Sequence, residues 1–261
     1  MGRFDHLEIG DWLPVHPEEP PENGRVIDED YYLEKAKAAF AEENYEQSLS
    51  FYSRALQYEI SLEEAWVGQI RCLIELRELQ EAVIWSNRTL ERFPNSSEVL
   101  SARAVAESRM GRLVQALAYS DSALGSPGCT AYSWVARGEV LIGVNPTNAK
   151  ACFAKAVELS PSDWAVHSWI ARAYMIRGCY HQALEHLRDA TRLDSSLFTC
   201  WHWTGRCCEA LGEVEEAKRA YARALAIQPK FSRSRKAVER LANRDPLSRL
   251  ADGLRRIFKG S

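Results

Sequence analysis

Residues Phe198 to Phe231 read FTCWHWTGRCCEALGEVEEAKRAYARALAIQPKF, and this stretch of 34 residues decides the fold. Its first part, up to Leu211, has small and large apolar residues at helical spacing, and Gly212 then supplies a turn. A second amphipathic helix is predicted from Glu213 to Ile227, and Pro229 stops it. One such hairpin cannot bury its apolar face alone, so it needs stacked neighbours.

The stretch resembles the tetratricopeptide repeat, whose pattern is W-x2-L-G-x2-Y, then A-x3-F, then P, over about 34 residues. Six positions match this pattern: Trp201, Gly205, Ala217, Tyr221, Ala224 and Pro229. Two positions depart from it, with Thr204 in place of Leu and Cys208 in place of Tyr. Small residues at the eighth and twentieth positions are expected where two helices approach closely, while the two aromatic residues fill wider gaps.

The same register recurs along most of the chain. Six repeats can be placed, at residues 29–62, 63–96, 97–130, 131–163, 164–197 and 198–231. The fourth is one residue short near Gly143 to Pro146, and Pro146 is predicted to begin its second helix. The resemblance implies an all-α fold, an α-solenoid whose hairpins wind into a right-handed superhelix.

The two ends of the chain differ in charge. Residues 1–28 are acidic and proline-rich and are predicted to form an irregular arm. Residues 232–243 are predicted to form a capping helix, and residues 246–259 a basic amphipathic helix. Nine acids and two bases lie in 1–30, against nine bases and three acids in 232–261. An autoinhibitory contact of the arm with the basic tail, or with a basic part of the array, is therefore an open alternative.

Composition excludes several classes of protein. Hydrophobic residues make up 46% of the chain and charged residues 26%, and the formal net charge of −3 is not that of a nucleic-acid polycation. The sequence has no long apolar run, and its start lacks the apolar segment of a secretory signal. Its seven cysteines are an odd number and lie mostly on helix faces, which favours reduced, buried thiols and predicts a cytoplasmic location.

No catalytic or metal-binding signature is found in the sequence. It has no glycine-rich phosphate loop, no G-x-S-x-G and no C-x-x-C. The run Cys200-Trp201-His202 lacks two further ligands for zinc, and His181 and His186 are five residues apart, a poor helical spacing for one metal. We therefore predict a chain that is not an enzyme, with no cofactor, no metal and no small-molecule substrate.

The resemblance also implies a working surface, since the concave side of such an array is lined by the first helix of each repeat. It assigns nine residues to partner binding: Lys37, Arg71, Tyr132, Glu139, Trp169, Arg172, His202, Trp203 and Arg206. The pairs Lys37 with Arg71 and Arg172 with Arg206 could each hold a carboxylate or phosphate. The alternative is that these side chains only pack between repeats, with their charged ends in water.

Two functional hypotheses follow. The first is a non-enzymatic scaffold or adaptor that binds a protein or peptide partner in the groove, through an acidic segment or a C-terminal carboxylate. The second is an adaptor targeted to a membrane surface or to nucleic acid, for which the helix at 246–259 offers the only contact. That helix could instead fold back on the array as a lid.

Overall fold

The computed structural model describes residues 26–243, and this part of the chain contains thirteen α-helices and no strand. They are α1 (Glu29–Ala41), α2 (Tyr45–Tyr58), α3 (Glu63–Glu75), α4 (Leu79–Arg92), α5 (Ser97–Arg109), α6 (Leu113–Gly125), α7 (Ala131–Leu141), α8 (Pro146–Leu159), α9 (Trp164–Ile176), α10 (Tyr180–Leu193), α11 (Phe198–Ala210), α12 (Val214–Ile227) and α13 (Ser232–Ala242). The acidic arm up to residue 25 and the basic helix predicted at 246–259 lie outside the described residues. None of the described helices is long and apolar enough to cross a membrane.

Consecutive helices pair into hairpins, two helices to a repeat. The odd-numbered helices from α1 to α11 begin at the first residues of the six repeats placed in the sequence. Helix α8 begins at Pro146, as predicted, because a proline at the first helical position lacks only an N–H that would have no helical partner. The predicted all-α fold class is therefore confirmed, as six hairpins followed by one further helix.

The chain divides into two compact units, Met1–Cys152 and Phe153–Ser261. In the described part of the first unit, the central helices are α3, which contacts α1, α2, α4 and α5, and α5, which contacts α3, α4, α6 and α7. In the described part of the second unit, α9 pairs with α10 and α11 with α12; α10 also contacts α11, and α12 contacts α13. Each unit is thus a stack of hairpins with its own buried core.

The turn inside a hairpin has the same geometry in five repeats. Its fifteenth residue is left-handed, with φ between 60° and 80°, at Glu43, Arg77, Gly111, Gly178 and Gly212. The N–H of the next residue then donates to a carbonyl five residues earlier, as from Glu213 to Cys208 at 2.8 Å. This bond closes the first helix of the pair. The fourth repeat, one residue shorter, has no left-handed residue in its turn, which accounts for its irregular sequence.

All seven cysteines lie in the described part of the chain, and all are free thiols. Five of them are buried, and two are partly exposed, Cys129 and Cys179. Burial raises the pKa of Cys72 to about 12, and burial beside Cys208 raises the pKa of Cys207 to about 12. Cys72 and Cys207 therefore act as small core residues that stay protonated at neutral pH.

Two hairpin contacts depend on the absence of a side chain at a glycine. A Cβ added to Gly205 would lie 2.6 Å from the Tyr221 ring, and one added to Gly68 would overlap the Tyr52 ring. The first contact joins α11 to α12, and the second joins α2 to α3. Tyr221 is fully buried, so its ring has no open space to move into. The expectation that Gly205 marks a close approach of two helices is confirmed.

We expect Gly205→Ala and Gly68→Ala each to lower the free energy of unfolding by about 1–3 kcal/mol, because the new Cβ must displace a packed tyrosine ring. Gly125→Ala is the control, since no atom lies within 4 Å of an added Cβ there. The control is expected to leave stability unchanged or to raise it by up to about 1 kcal/mol. Urea unfolding followed by circular dichroism measures all three, and wild-type stability of Gly205→Ala would contradict the packing account.

Candidate functional site

The predicted groove residues of the first unit contact other side chains of that unit. The Arg71 guanidinium lies over two rings, 4.5 Å from the Tyr132 centroid and 5.1 Å from that of Phe40. Tyr132 is buried, and desolvation raises its pKa to about 12. Lys37 pairs with Glu64 at 2.7 Å, and both of these side chains are about half exposed. The structure thus brings Arg71 and Tyr132 together and places Lys37 in a surface ion pair.

A buried ion network joins three first helices of this unit. Arg109 on α5 donates from Nε and Nη2 to the two carboxylate oxygens of Glu139 on α7, at 2.8 and 3.3 Å. Its Nη1 donates to Oε1 of Glu75 on α3, at 3.1 Å. Burial works against the charge of Arg109, but the Glu139 carboxylate raises its pKa above the ordinary value. Glu139 is one of the residues predicted to contact a partner. In the structure, both of its carboxylate oxygens accept hydrogen bonds from Arg109.

Sequence reasoning missed Arg109 and Glu75. Both occupy the thirteenth position of their repeats, on the helix face that also carries the ninth position, to which Glu139 belongs. The signal in the sequence is the opposite charge of residues at these inner positions of consecutive repeats. It becomes visible only when neighbouring repeats are compared, and not when each position is considered alone.

We expect Arg109→Ala to destabilise the chain by about 3–5 kcal/mol, because it leaves two buried carboxylates without their counter-charge. Lys37→Ala removes a cation of similar size from an exposed pair and is expected to change stability by less than about 1 kcal/mol. Thermal and urea unfolding compare the two variants directly. Equal stability of the two would show that the buried network does not hold the first helices together.

The second unit arranges its predicted residues differently. The Arg172 guanidinium on α9 lies 5.4 Å from the ring centroid of Trp203 on α11, and Trp203 is buried. Trp169 is half-buried one turn before Arg172, and Arg206 is exposed one turn after Trp203. We call the surface formed by these four residues the Arg–Trp face. The structure therefore brings Arg172 and Trp203 together across α9 and α11, with Trp169 and Arg206 one turn away from them on the same two helices.

His202 belongs to the packing layer beneath this face. Its ring is buried, and its Nδ1 lies 2.9 Å from the Ser234 hydroxyl on α13. It also meets the Phe231 ring edge to face, with the ring centroids 5.2 Å apart. In this structure His202 therefore ties α11 to α13.

Two family models match parts of the chain. A model of the tetratricopeptide repeat matches residues 33–97, and the model of the anaphase-promoting complex, cyclosome, subunit 3 matches residues 145–224. No curated protein matches the chain significantly in sequence.

Three solved structures show the shared fold. A tetratricopeptide repeat protein from Parabacteroides merdae is 15% identical, with a TM-score of 0.52, over 82% of this chain and 84% of that one. The thermophilic protein TTC0263 from Thermus thermophilus is 22% identical, with a TM-score of 0.52, over 70% of this chain and 98% of that one. The human IFIT1 dimer with m7Gppp-AAAA is 14% identical, with a TM-score of 0.58, over 81% of this chain and 53% of that one.

The chain is a tetratricopeptide repeat protein, and its fold is of the α-solenoid class. Proteins of this family generally mediate protein–protein interactions, on a scaffold that is generally not catalytic. The chain is thus similar to protein-binding scaffolds in both sequence register and fold.

Proposed function

We propose that the chain is an adaptor that binds a peptide or protein segment at the Arg–Trp face of its second unit. The observation that carries the proposal is the position of the Arg172 guanidinium over the Trp203 ring, 5.4 Å from the ring centroid. The ring attracts the cation, and a planar guanidinium can bind a carboxylate through two parallel hydrogen bonds. Tryptophan and arginine are also the residues most often found at binding hot spots.

The charge of this face favours an acidic partner. Helix α9 contains no acid, and α11 contains only Glu209. The Glu209 carboxylate accepts hydrogen bonds from Arg240 at 2.6 and 2.9 Å and from the Tyr221 hydroxyl at 3.1 Å. Because its negative charge is balanced by Arg240, the face keeps the positive charge of its two arginines. An acidic segment or a C-terminal carboxylate fits this charge.

The remaining predicted contact residues stay part of the proposal with a smaller role. They are Lys37, Arg71, Tyr132, Glu139 and His202. The contacts described above give each of them a role inside its own unit, so we assign them to shaping the surface more than to holding the ligand.

The free thiols support a reducing, cytoplasmic location. Targeting by the helix predicted at 246–259 is the alternative function.

A peptide library displayed with free C-termini tests the proposal. We expect selected peptides to be rich in Asp and Glu, because the face is cationic. Arg172→Ala combined with Arg206→Ala should weaken binding of a selected peptide roughly tenfold or more, since about 1.4 kcal/mol of binding free energy corresponds to each factor of ten. Fluorescence anisotropy with labelled peptide gives the dissociation constants.

The matched control is Arg188→Ala combined with Arg219→Ala. These two arginines lie on the second helices α10 and α12, so the control removes the same charge from outside the face. It should leave the dissociation constant within about twofold of wild type, apart from a small long-range electrostatic effect. Equal loss in both double variants, or no loss in the first, would overturn the assignment of the face.

A further inference from the structure

The fourth and twenty-third residues of a repeat lie against each other across the hairpin, and in two repeats both are aromatic. In the first repeat these residues are Tyr32 and Phe51, with ring centroids 6.4 Å apart. In the second they are Trp66 and Trp85, with ring centroids 5.9 Å apart. The first and second repeats therefore show the purely structural role of these two positions, which is to pack one aromatic ring against another.

The twenty-sixth residue completes the arrangement. Arg54 in the first repeat lies over the Tyr32 ring at 5.5 Å, and Arg88 in the second lies over the Trp85 ring at 5.0 Å. The sixth repeat also has an arginine here, Arg223, which lies 5.2 Å from the Trp201 ring centroid. A cation over an aromatic ring is favourable, so arginine at this position belongs to the packing arrangement.

The fifth repeat changes all three positions together. Its fourth and twenty-third residues are His167 and His186, with ring centroids 5.5 Å apart, and its twenty-sixth is Asp189. The tyrosine, phenylalanine or tryptophan rings and the arginine of the first two repeats are thus replaced by two imidazoles and a carboxylate. Imidazole and carboxylate are the side chains that bind transition metals, whereas arginine does not.

The three possible ligand atoms lie close together, and the two rings are also within hydrogen-bond distance of each other. Nδ1 of His167 lies 3.2 Å from Nδ1 of His186 and 3.8 Å from Oδ2 of Asp189, and all three atoms lie within 4.8 Å of one another. Two nitrogens bound to one tetrahedral zinc at about 2.0–2.1 Å are themselves separated by about 3.3 Å. The distance between the two imidazole nitrogens therefore already matches a shared ion.

We propose that His167, His186 and Asp189 form a binding site for Zn²⁺ or a similar borderline divalent cation, with water completing the coordination. The site lies within one hairpin, with one ligand from α9 and two from α10. His186 and Asp189 are three residues apart on α10, so they share one helix face. The bound ion would join the two helices where aromatic stacking joins them in the first and second repeats.

The surroundings of the site combine burial with a carboxylate. Burial lowers the pKa of His186 to about 4, with a further lowering from His167, and burial also lowers the pKa of His167. Arg192 pairs with Asp189 at 2.9 Å, but its side chain is 77% exposed and can turn into solvent. Asp163 also acts electrostatically on His167 and favours a cation there.

The cluster has no signature in the local sequence. His181 and His186 are five apart on one helix, and this spacing suits no single ion. The structure pairs His186 instead with His167, nineteen residues earlier and on the neighbouring helix. Cys200 and His202 do not belong to the cluster.

Titration of the full chain, first stripped of metal with a chelator, tests the proposal. Calorimetry with Zn²⁺ should give one ion per chain, and Co²⁺ should give the visible absorption of a low-coordinate site. Saturation with Zn²⁺ should raise Tm by a few degrees, because the ion binds the folded chain preferentially.

Asp189→Asn and His186→Asn should each weaken Zn²⁺ binding roughly tenfold or more. His181→Gln is the control, since His181 lies on the same helix outside the cluster and should leave binding unchanged.

A second variant keeps the test decisive if single changes disturb folding. His167→Tyr, His186→Phe and Asp189→Arg together copy the first repeat, so this triple variant should fold as wild type by circular dichroism and bind no Zn²⁺. Unchanged Zn²⁺ binding by the triple variant would place the ion on other residues and overturn the proposal. Absence of Zn²⁺ binding by the wild-type chain would overturn it too.

Discussion

The approach of two helices is limited at two places in this chain by a tyrosine ring that lies directly against a glycine backbone. Tyr221 covers Gly205 in the last hairpin, and Tyr52 covers Gly68 between the first two. Such contacts bury a large ring without leaving a void, which a larger residue at either glycine would prevent. The packing also brings the fourth and twenty-third residues together in the first, second and fifth repeats, so one register can carry different chemistry.

The chain uses that register in three ways. In the first unit, charged residues of the first helices pair with one another, so Arg109 and its two carboxylates become part of the core. In the second unit, the guanidinium of Arg172 on α9 lies over the ring of Trp203 on α11. In the fifth repeat, positions that elsewhere stack rings bring His167 and His186 together beside a carboxylate. Packing determines where these groups lie, and the residue type at each position determines what they can bind.

Much of the fold could be predicted from the sequence, because the signals for it are local. The period, the turn residues and Pro146 predict where the helices begin, and each of these acts within a few residues of itself. The partners of side chains could not be predicted in the same way. Arg109 meets carboxylates thirty or more residues away, and His186 meets a histidine on another helix. Such pairs depend on how each helix is rotated in its stack. The same limit explains His202, whose position suggested a groove and whose buried ring contacts Tyr221, Phe231 and Ser234.

The most direct test of the account moves the three residues to another repeat. In a chain whose fifth repeat already has tyrosine, phenylalanine and arginine at these positions, Tyr32→His, Phe51→His and Arg54→Asp would rebuild the cluster in the first repeat. If the register alone brings the three side chains together, calorimetry should show one Zn²⁺ ion per chain restored. A chain that folds as wild type by circular dichroism and binds no Zn²⁺ would contradict the account.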